Sequence, residues 1–475
     1  MDVGGYSAAQ WLVLVQHELL LFAGLMFLVG ALDEWAVDLL WLRGRATGRI
    51  RTGCLPSGGK QHQSAERRFA IFVPAWQEAN VIGATLRHML RVWPQARVVF
   101  YVGCYPNDPA TLAAAMEVAA TDPRVRLAVC DTPGPTTKAD CLNRLWRALR
   151  NDEAAGHPPV DAVVLHDAED MVDPAALAVI DDALEQADFV QLPVLPLPQR
   201  GSRWIGSHYA EEFAEAHGKA MVVRDMLGAA MPAAGVGCAV AREWLDRLAL
   251  RRGDGAPFAA DSLTEDYEMG LALGAMGARA RFVRVRDGEG RLVATRAAFP
   301  DTLEAAVRQK TRWVNGIALL GWDRTGWSRG GIERWMLLRD RRGPLTALVM
   351  LVAYALLFLL ALTHAAYWWG WGVAFVLPDT LRWLLLVNAF ALAWRAAFRF
   401  AFTAREYGVA EGLRAVLRIP LANIVAIMAG RRALFSYLRL LMGAKLRWDK
   451  THHTVHPALL EPRDGPAPRQ ARGSL

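Results

Sequence analysis

In the stretch Ala162-Val163-Val164-Leu165-His166-Asp167-Ala168-Glu169-Asp170, a short apolar run ends abruptly in a cluster of acids. An apolar run of this length predicts a strand buried on both faces, the kind found in parallel sheets. Such sheets bind ligands beyond the carboxyl ends of their strands, where these acids fall. Crowded carboxylates repel one another, and a divalent cation that prefers hard oxygen ligands, Mg2+ or Mn2+, would relieve the repulsion. The competing reading is a solvated acidic loop with Asp170 or Asp173 capping the next helix. His166 reads as a packed or hydrogen-bonding histidine rather than a ligand.

Comparable runs lie on both sides. Phe69–Pro74, Arg97–Gly103, Val125–Cys130, Asp161–His166 and Phe189–Pro193 are β-rich. Helical patterns separate them near Val81–Val92, Ala110–Ala120, Ala139–Arg150 and Ala175–Gln186. This alternation predicts an α/β domain with a mostly parallel central sheet covered by helices on both faces.

The chain has 475 residues, 53% hydrophobic and 21% charged, and its mean hydropathy is +0.15. That is too apolar for a typical soluble protein and too polar for one mostly embedded in lipid. It excludes general disorder. The net charge of +7 suits basic flanks beside membrane helices or a site for phosphate-bearing substrates. The arginines cluster at membrane flanks and no nucleic-acid motif is found, so nucleic acid is not an expected partner. Five cysteines with no CxxC read as reduced thiols.

Trp11–Leu32 is long and apolar enough to cross a bilayer and holds His17 and Glu18 as its ionisable groups. Arg43, Arg45, Arg49 and Arg51 follow it, which predicts an N-terminus outside and the next domain in the cytoplasm. Pro344–Val376 and Leu381–Phe402 contain two further spans, the second carrying Arg395 and Arg399. These arginines either snorkel to the interface or line a path for glycan or lipid phosphate. Glu333–Arg342 reads as a basic interfacial segment. Leu413–Met428 reads as an interfacial helix in preference to a fourth span. The expected division is an N-terminal transmembrane helix (1–42), a basic linker (43–66), the α/β domain (67–330), an interfacial segment with two transmembrane helices (331–405), membrane-proximal helices (406–456) and a disordered tail (457–475).

Other candidate site residues sit at element ends. Glu78 follows the first strand. Asp108 follows the second, placed to hold a nucleotide's base or ribose or to cap the helix starting at Pro109. Lys138 opens a helix, where ammonium and helix terminus together favour phosphate oxygens; a solvated lysine is the alternative. Gly235 and Gly237 mark a tight turn or a close backbone approach to a ligand. Thr264-Glu265-Asp266 opens another helix, with Thr264 as a cap or Asp266 facing the cleft as a general base. Gln309, Arg312 and Trp313 share one helical face and together suit a diphosphate and a sugar ring. Glu211, Glu212 and Glu215 are acceptor-side groups or a solvated helix face. The His452-His453…His456 cluster is a weak metal candidate.

Taken in order, Asp108, Lys138 with Asn143, Asp167-Ala168-Glu169-Asp170, Thr264-Glu265-Asp266 and Gln309…Arg312-Trp313 resemble the family 2 glycosyltransferases of bacterial inner membranes. Glu169 stands where that family usually has a second Asp. The resemblance covers about residues 66–320 and implies a GT-A fold, as in membrane synthases of cellulose and poly-N-acetylglucosamine. Smaller signatures are similar to the NfrB-like, bacteriophage-adsorption branch. They are Tyr105-Pro106-Asn107-Asp108-Pro109, His166–Asp170, His208…Glu212–Glu215, and Trp448-Asp449-Lys450-Thr451 followed by His453. Longer members of that branch carry a further C-terminal module, so regulation through it is not expected here.

The resemblance implies inverting transfer of a sugar from a nucleoside diphosphate, UDP above all, to a glycan or lipid-linked acceptor. It implies that Glu78, Asp108 and Asn143 contact substrate and that Asp167 and Glu169 hold Mg2+ or Mn2+ against the diphosphate. Lys138 would neutralise the leaving group. Asp266, with Glu265 beside it, would take the acceptor's proton. Gln309, Arg312 and Trp313 would close over diphosphate and acceptor. An outer-membrane export partner is implied as well. The alternative is a non-catalytic membrane receptor or scaffold that retains the fold.

Overall fold

The computed structural model describes residues 8–56, 65–94, 97–199, 201–328, 330–370 and 375–443. The Trp448–Thr451 signature, His453, the histidine cluster and the tail lie outside the described residues.

The strands in chain order are β1 (Gly53–Cys54), β2 (Phe69–Pro74), β3 (Val98–Cys104), β4 (Val125–Val129), β5 (Ala162–Leu165), β6 (Phe189–Gln191), β7 (Val194–Pro196), β8 (Cys238–Ala241), β9 (Ala280–Phe282), β10 (Val285–Arg286) and β11 (Thr295–Ala297). Seven of them form one sheet in the order β4-β3-β2-β5-β8-β6-β9. All its pairings are parallel except those of β8, which runs antiparallel to β5 and β6. Residues alternate between faces as a two-residue period requires. Phe69, Ile71 and Val73 of β2 enter one core, Ala70 and Phe72 the other.

The first core is closed by α2 (Ile82–Val92), α3 (Pro109–Ala119) and α5 (Ala176–Ala183). The second is closed by α4 (Lys138–Ala154), α8 (Arg242–Arg252) and α9 (Glu265–Ala275). The apolar stripe of α4 inserts Leu142, Leu145, Trp146 and Leu149, all at 1% exposure or less. Each such side chain contributes roughly 1.5–3 kcal/mol of burial. Between these helices run α6 (His208–Glu215), a wide π-helical turn over Ala216–Ala220, and α7 (Met221–Met226). Part of the expected linker is ordered differently, because Gly53–Cys54 pairs in parallel with Val285–Arg286.

After the sheet come α10 (Leu303–Val314), a second π-helical turn (Asn315–Leu319), α11 (Leu320–Thr325) and α12 (Gly331–Arg341). Among the described residues, three helices are long and apolar enough to cross a membrane. They are α1 (Ala8–Ala46), α13 (Gly343–Trp368) and α14 (Asp379–Tyr407). Leu413–Met428 falls across two helices, α15 (Val409–Leu417) and α16 (Ile419–Leu441), which meet at a 53° bend and together pass the same test as a broken span or a re-entrant loop.

Arg395 and Arg399 meet acids of the chain itself, as the cost of a charge in lipid requires. Arg395 bonds Glu34 of α1 at 2.8 Å, and both arginines approach Glu215. Lys219, on the first π turn, reaches Asp38 at 2.7 Å and Glu215 at 2.9 Å. Arg339 and Arg342 pair with Asp33 and Glu34. Lipid cannot solvate these charges, and partners within the chain do.

Candidate active site

The cleft opens at the carboxyl end of β5, beside the antiparallel β8, where the sheet changes direction. It encloses about 790 Å3, open mouth included. Its charged and polar lining includes Lys138, Asp167, Glu169, Asp170, Thr264, Glu265, Asp266, Gln309 and Arg312. Trp313 forms part of its aromatic wall. Residues far apart in sequence thus converge on one cavity.

Each is placed by a local device. Thr137 caps α4, its hydroxyl accepting from Asp140 N–H, so Lys138 begins the helix at the cleft. Its Nζ lies 2.6 Å from Asp167 Oδ1. Burial opposes its charge, but Asp167, Glu265 and Asp266 outweigh that and hold the ammonium well above its ordinary range. Burial pushes Glu265 up to about 7, with Asp266 beside it adding to the rise. Asp266 is also raised by burial, against the pull of Lys138. Gly235, between the lining residues Ala234 and Val236, has φ +77. A methyl there would meet Asp266 Oδ2 at 2.2 Å and Lys138 Nζ at 3.4 Å, so the glycine is needed both for its backbone and for the space it leaves.

The acidic loop is not three equivalent carboxylates. Asp170 is buried and accepts from His166 Nδ1 at 2.8 Å and from Asp167 N–H at 3.0 Å. It shapes the turn, and His166 is the hydrogen-bonding histidine expected. Asp167 and Glu169 line the cleft, and Lys138 supplies the charge that the sequence reading gave to a metal. Among the described residues no group of three or more His, Cys, Asp or Glu side chains could hold a metal alone. Two carboxylates still fit Mg2+ or Mn2+, which commonly take one or two and complete their shell with waters and substrate phosphates.

Three candidates are absent from the cleft lining. Asp108 caps α3 from Thr111 N–H and also accepts from Gln77 N–H, holding that residue at φ 55. Asn143 is buried and exchanges two hydrogen bonds with the backbone of Phe258, at 2.8 and 3.0 Å. Glu78 is buried at the β2–α2 turn, its N–H donating to Thr111 Oγ1.

The acids of α6 are all ion-paired, and the Glu212 side chain keeps 30% exposure. Glu211 pairs with the fully buried Arg418 at 2.8 Å, Glu212 with Lys310, and Glu215 with Lys219. Sequence reading missed the aromatic wall. Phe213 and Phe299 line the cleft with Trp313. Phe299 lies 4.7 Å from the Tyr209 ring and 5.1 Å from that of Phe213, and Tyr209 meets Trp313 at 6.0 Å. Phe299 immediately precedes Pro300, a weak signal of a fixed turn.

Comparison with known proteins agrees with this geometry. The chain is 34% identical over 471 residues to bacteriophage adsorption protein B of Escherichia coli K12 and to bacteriophage N4 adsorption protein B of Escherichia coli O157:H7. Each alignment covers 94% of this chain and 63% of the relative, so the chain spans under two thirds of their length. Among solved structures, a mannosyltransferase from Pyrobaculum calidifontis in complex with GDP-Man and Mn2+ superposes with a TM-score of 0.52 at 19% identity, covering 83% of this chain and 98% of that one. That likeness shows the GT-A fold. Residues 66–316 match the family described as "Glycosyltransferase like family 2", and the chain belongs to that family.

Proposed function

We propose that the chain is an inverting glycosyltransferase of the bacterial inner membrane. In this reading it moves a hexosyl or N-acetylhexosaminyl unit from a UDP-sugar to a growing exopolysaccharide or lipid-linked acceptor. The carrying observation is the convergence of Lys138, Asp167, Glu169, Asp266, Gln309, Arg312 and Trp313 on one cleft. The arginines after α1 favour a cytoplasmic catalytic domain and a periplasmic N-terminus. An outer-membrane export partner belongs to the same proposal.

Asp167 and Glu169 would hold Mg2+ or Mn2+. The ion would supply charge for the departing diphosphate. Lys138 and Arg312 present fixed cations to the same oxygens, a preorganised stabilisation that works best in a water-poor cleft. Asp266 accepts the acceptor hydroxyl's proton, and Lys138 offsets part of the rise that burial imposes on its pKa. Phe213, Phe299 and Trp313 offer ring faces to a sugar and exclude water.

The test is nucleoside-diphosphate release by the full chain in lipid nanodiscs, screened over UDP- and GDP-sugars with Mg2+ or Mn2+. Release from a donor that falls about 10²–10⁴-fold in Asp266→Asn supports the reading. Metal-dependent UDP binding with no release from any donor and any added acceptor favours the scaffold. Absence of UDP binding overturns the site.

A further inference from the structure

Helix α9 carries Asp266 in its first turn, yet its start is held differently from its neighbours at this edge of the sheet. Helices α3, α4 and α10 each begin from a side-chain cap, Asp108, Thr137 and Thr302. The Thr264 side chain makes no such bond to α9. It packs instead on Gly316 of the second π turn, where a methyl would meet Thr264 Oγ1 at 2.5 Å.

Two side chains one and two residues beyond Asp266 supply the hold. The Tyr267 hydroxyl donates to Asp340 of α12 at 2.9 Å, and Asp340 accepts both bonds of Arg224, at 3.0 and 2.9 Å. Glu268, whose side chain is 5% exposed, accepts from Arg324 Nε at 2.9 and 3.0 Å and from Ser262 Oγ at 2.6 Å. Ser262 Oγ in turn accepts from Thr264 N–H at 3.1 Å, and Arg324 also bonds Asp261. Adjacent residues stand about 100° apart around a helix, so the two ties grip α9 from different sides and stop it rolling about its axis. The residue before them, Asp266, is thereby aimed at the space in front of Gly235 and Lys138.

Arg324 reaches α9 from the helix of the opposite wall. Residues Leu303–Thr325 run without a break through α10, the π turn and α11. One end carries Gln309, Arg312 and Trp313, the other Arg324. In a regular α-helix Gly316 and Arg324 would stand about 80° apart. A π turn holds about one residue more than an α turn and takes up that angle, and both residues meet α9.

We propose that Arg324 is a positioning residue, which through Glu268 sets the rotation of α9 and so the place of Asp266 opposite Arg312. The proposal rests on Asp266 as the proton acceptor. Without Arg324, a buried carboxylate keeps only the Ser262 hydroxyl, an uncompensated charge that drives Glu268 toward water. The Tyr267 tie alone is a pivot. A carboxylate about 5 Å from the helix axis moves about 1 Å for each roll of about 10°, and such a displacement at a reacting group costs on the order of 10²-fold in rate.

The test joins hydrogen exchange with donor kinetics on the full chain in lipid nanodiscs. Arg324→Gln should raise exchange in peptides spanning Thr264–Leu271 about tenfold while the sheet stays protected. Turnover should fall about 10²-fold, with the donor KM within about twofold of wild type. Glu268→Ala should match it, and the double variant should lose no more than either single, because both remove one contact. Arg242→Gln breaks another partly buried pair, with Glu153, at the end of β8 that faces the start of β5; it should keep its turnover. Unchanged exchange in Arg324→Gln, raised exchange with full turnover, multiplied losses in the double variant, or an equal loss in Arg242→Gln would each overturn the proposal. A wild-type chain that turns over no donor removes the reaction itself, a failure visible before any variant is made, and exchange then still shows whether Arg324 holds α9.

Discussion

Gly235→Ala perturbs the cleft without removing a single charge. The added methyl would sit 2.2 Å from Asp266 Oδ2, and real Cβ contacts essentially never fall below 3.0 Å. The carboxylate must therefore retreat by at least 0.8 Å, the difference between those two distances. A displacement of about 1 Å at a reacting group costs on the order of 10²-fold in rate. The left-handed φ adds a backbone cost of about 1–2 kcal/mol for a non-glycine residue. Gly237→Ala separates these two effects. Its φ is +60, so the backbone cost is similar, but its methyl would meet Thr295 Oγ1 rather than the acid. Both variants should lose similar thermal stability. Only Gly235→Ala should lose about 100-fold in diphosphate release at saturating donor, with calorimetric UDP affinity nearly unchanged. Full turnover by Gly235→Ala, or an equal loss in Gly237→Ala, refutes Asp266 as the group that reaches the acceptor.

Other outcomes follow from the same contacts. The turnover rate should fall as pH drops through the range set by Glu265, at about 7, and the likewise raised Asp266. A raised carboxyl pKa leaves the base protonated and idle on the acid side. Lys138→Gln removes the opposing ammonium and should move that limb to higher pH; a pH–rate profile that stays in place contradicts the coupling. Arg418→Met strands the fully buried Glu211 and should cost about 3–5 kcal/mol, read as lowered thermal stability of the full chain in detergent. Asn143→Ala leaves the Phe258 backbone unpaired and should cost about 1–3 kcal/mol while UDP affinity stays unchanged. A selective loss of UDP binding would return Asn143 to the substrate.

Strands β2, β3 and β5 were legible because they are almost wholly buried, whereas β8 and β9 were not among the expected runs. The β2 run Phe69–Pro74 matches the expected strand at both ends, since Arg68 precedes the apolar run and Pro74 closes it. Lys138, Asp167, Asp266 and Arg312 were legible because each stands at an element end or on a helix face that topology directs to the same edge. Asp108 and Asn143 were ambiguous for the opposite reason. Motif spacing locates a side chain but does not say which neighbour takes up its oxygens, and local backbone donors at Gln77, Thr111 and Phe258 do so. The acids of α6 were illegible, because their partners Lys310, Arg395 and Arg418 come from distant segments.

Those partners change what the membrane helices do. Helix α6 presents Phe213 to the cleft, while its carboxylates bond three other parts of the chain. Glu212 holds Lys310 on α10, the helix that also carries Gln309, Arg312 and Trp313. Glu211 holds Arg418 at the bend between α15 and α16, and Glu215 meets Arg395 and Arg399 of α14. Helix α16 in turn packs Val425 and Ala429 against Ala306 and Val307 of α10. Exposed ion pairs would contribute about 0–1 kcal/mol and could shift freely. Buried pairs leave an uncompensated charge when either partner moves, at about 3–5 kcal/mol. The aromatic wall of the cleft is therefore held in fixed relation to the helices that cross the bilayer. The positions of Trp313 and Phe213 are thus set by the helix bundle as much as by the sheet.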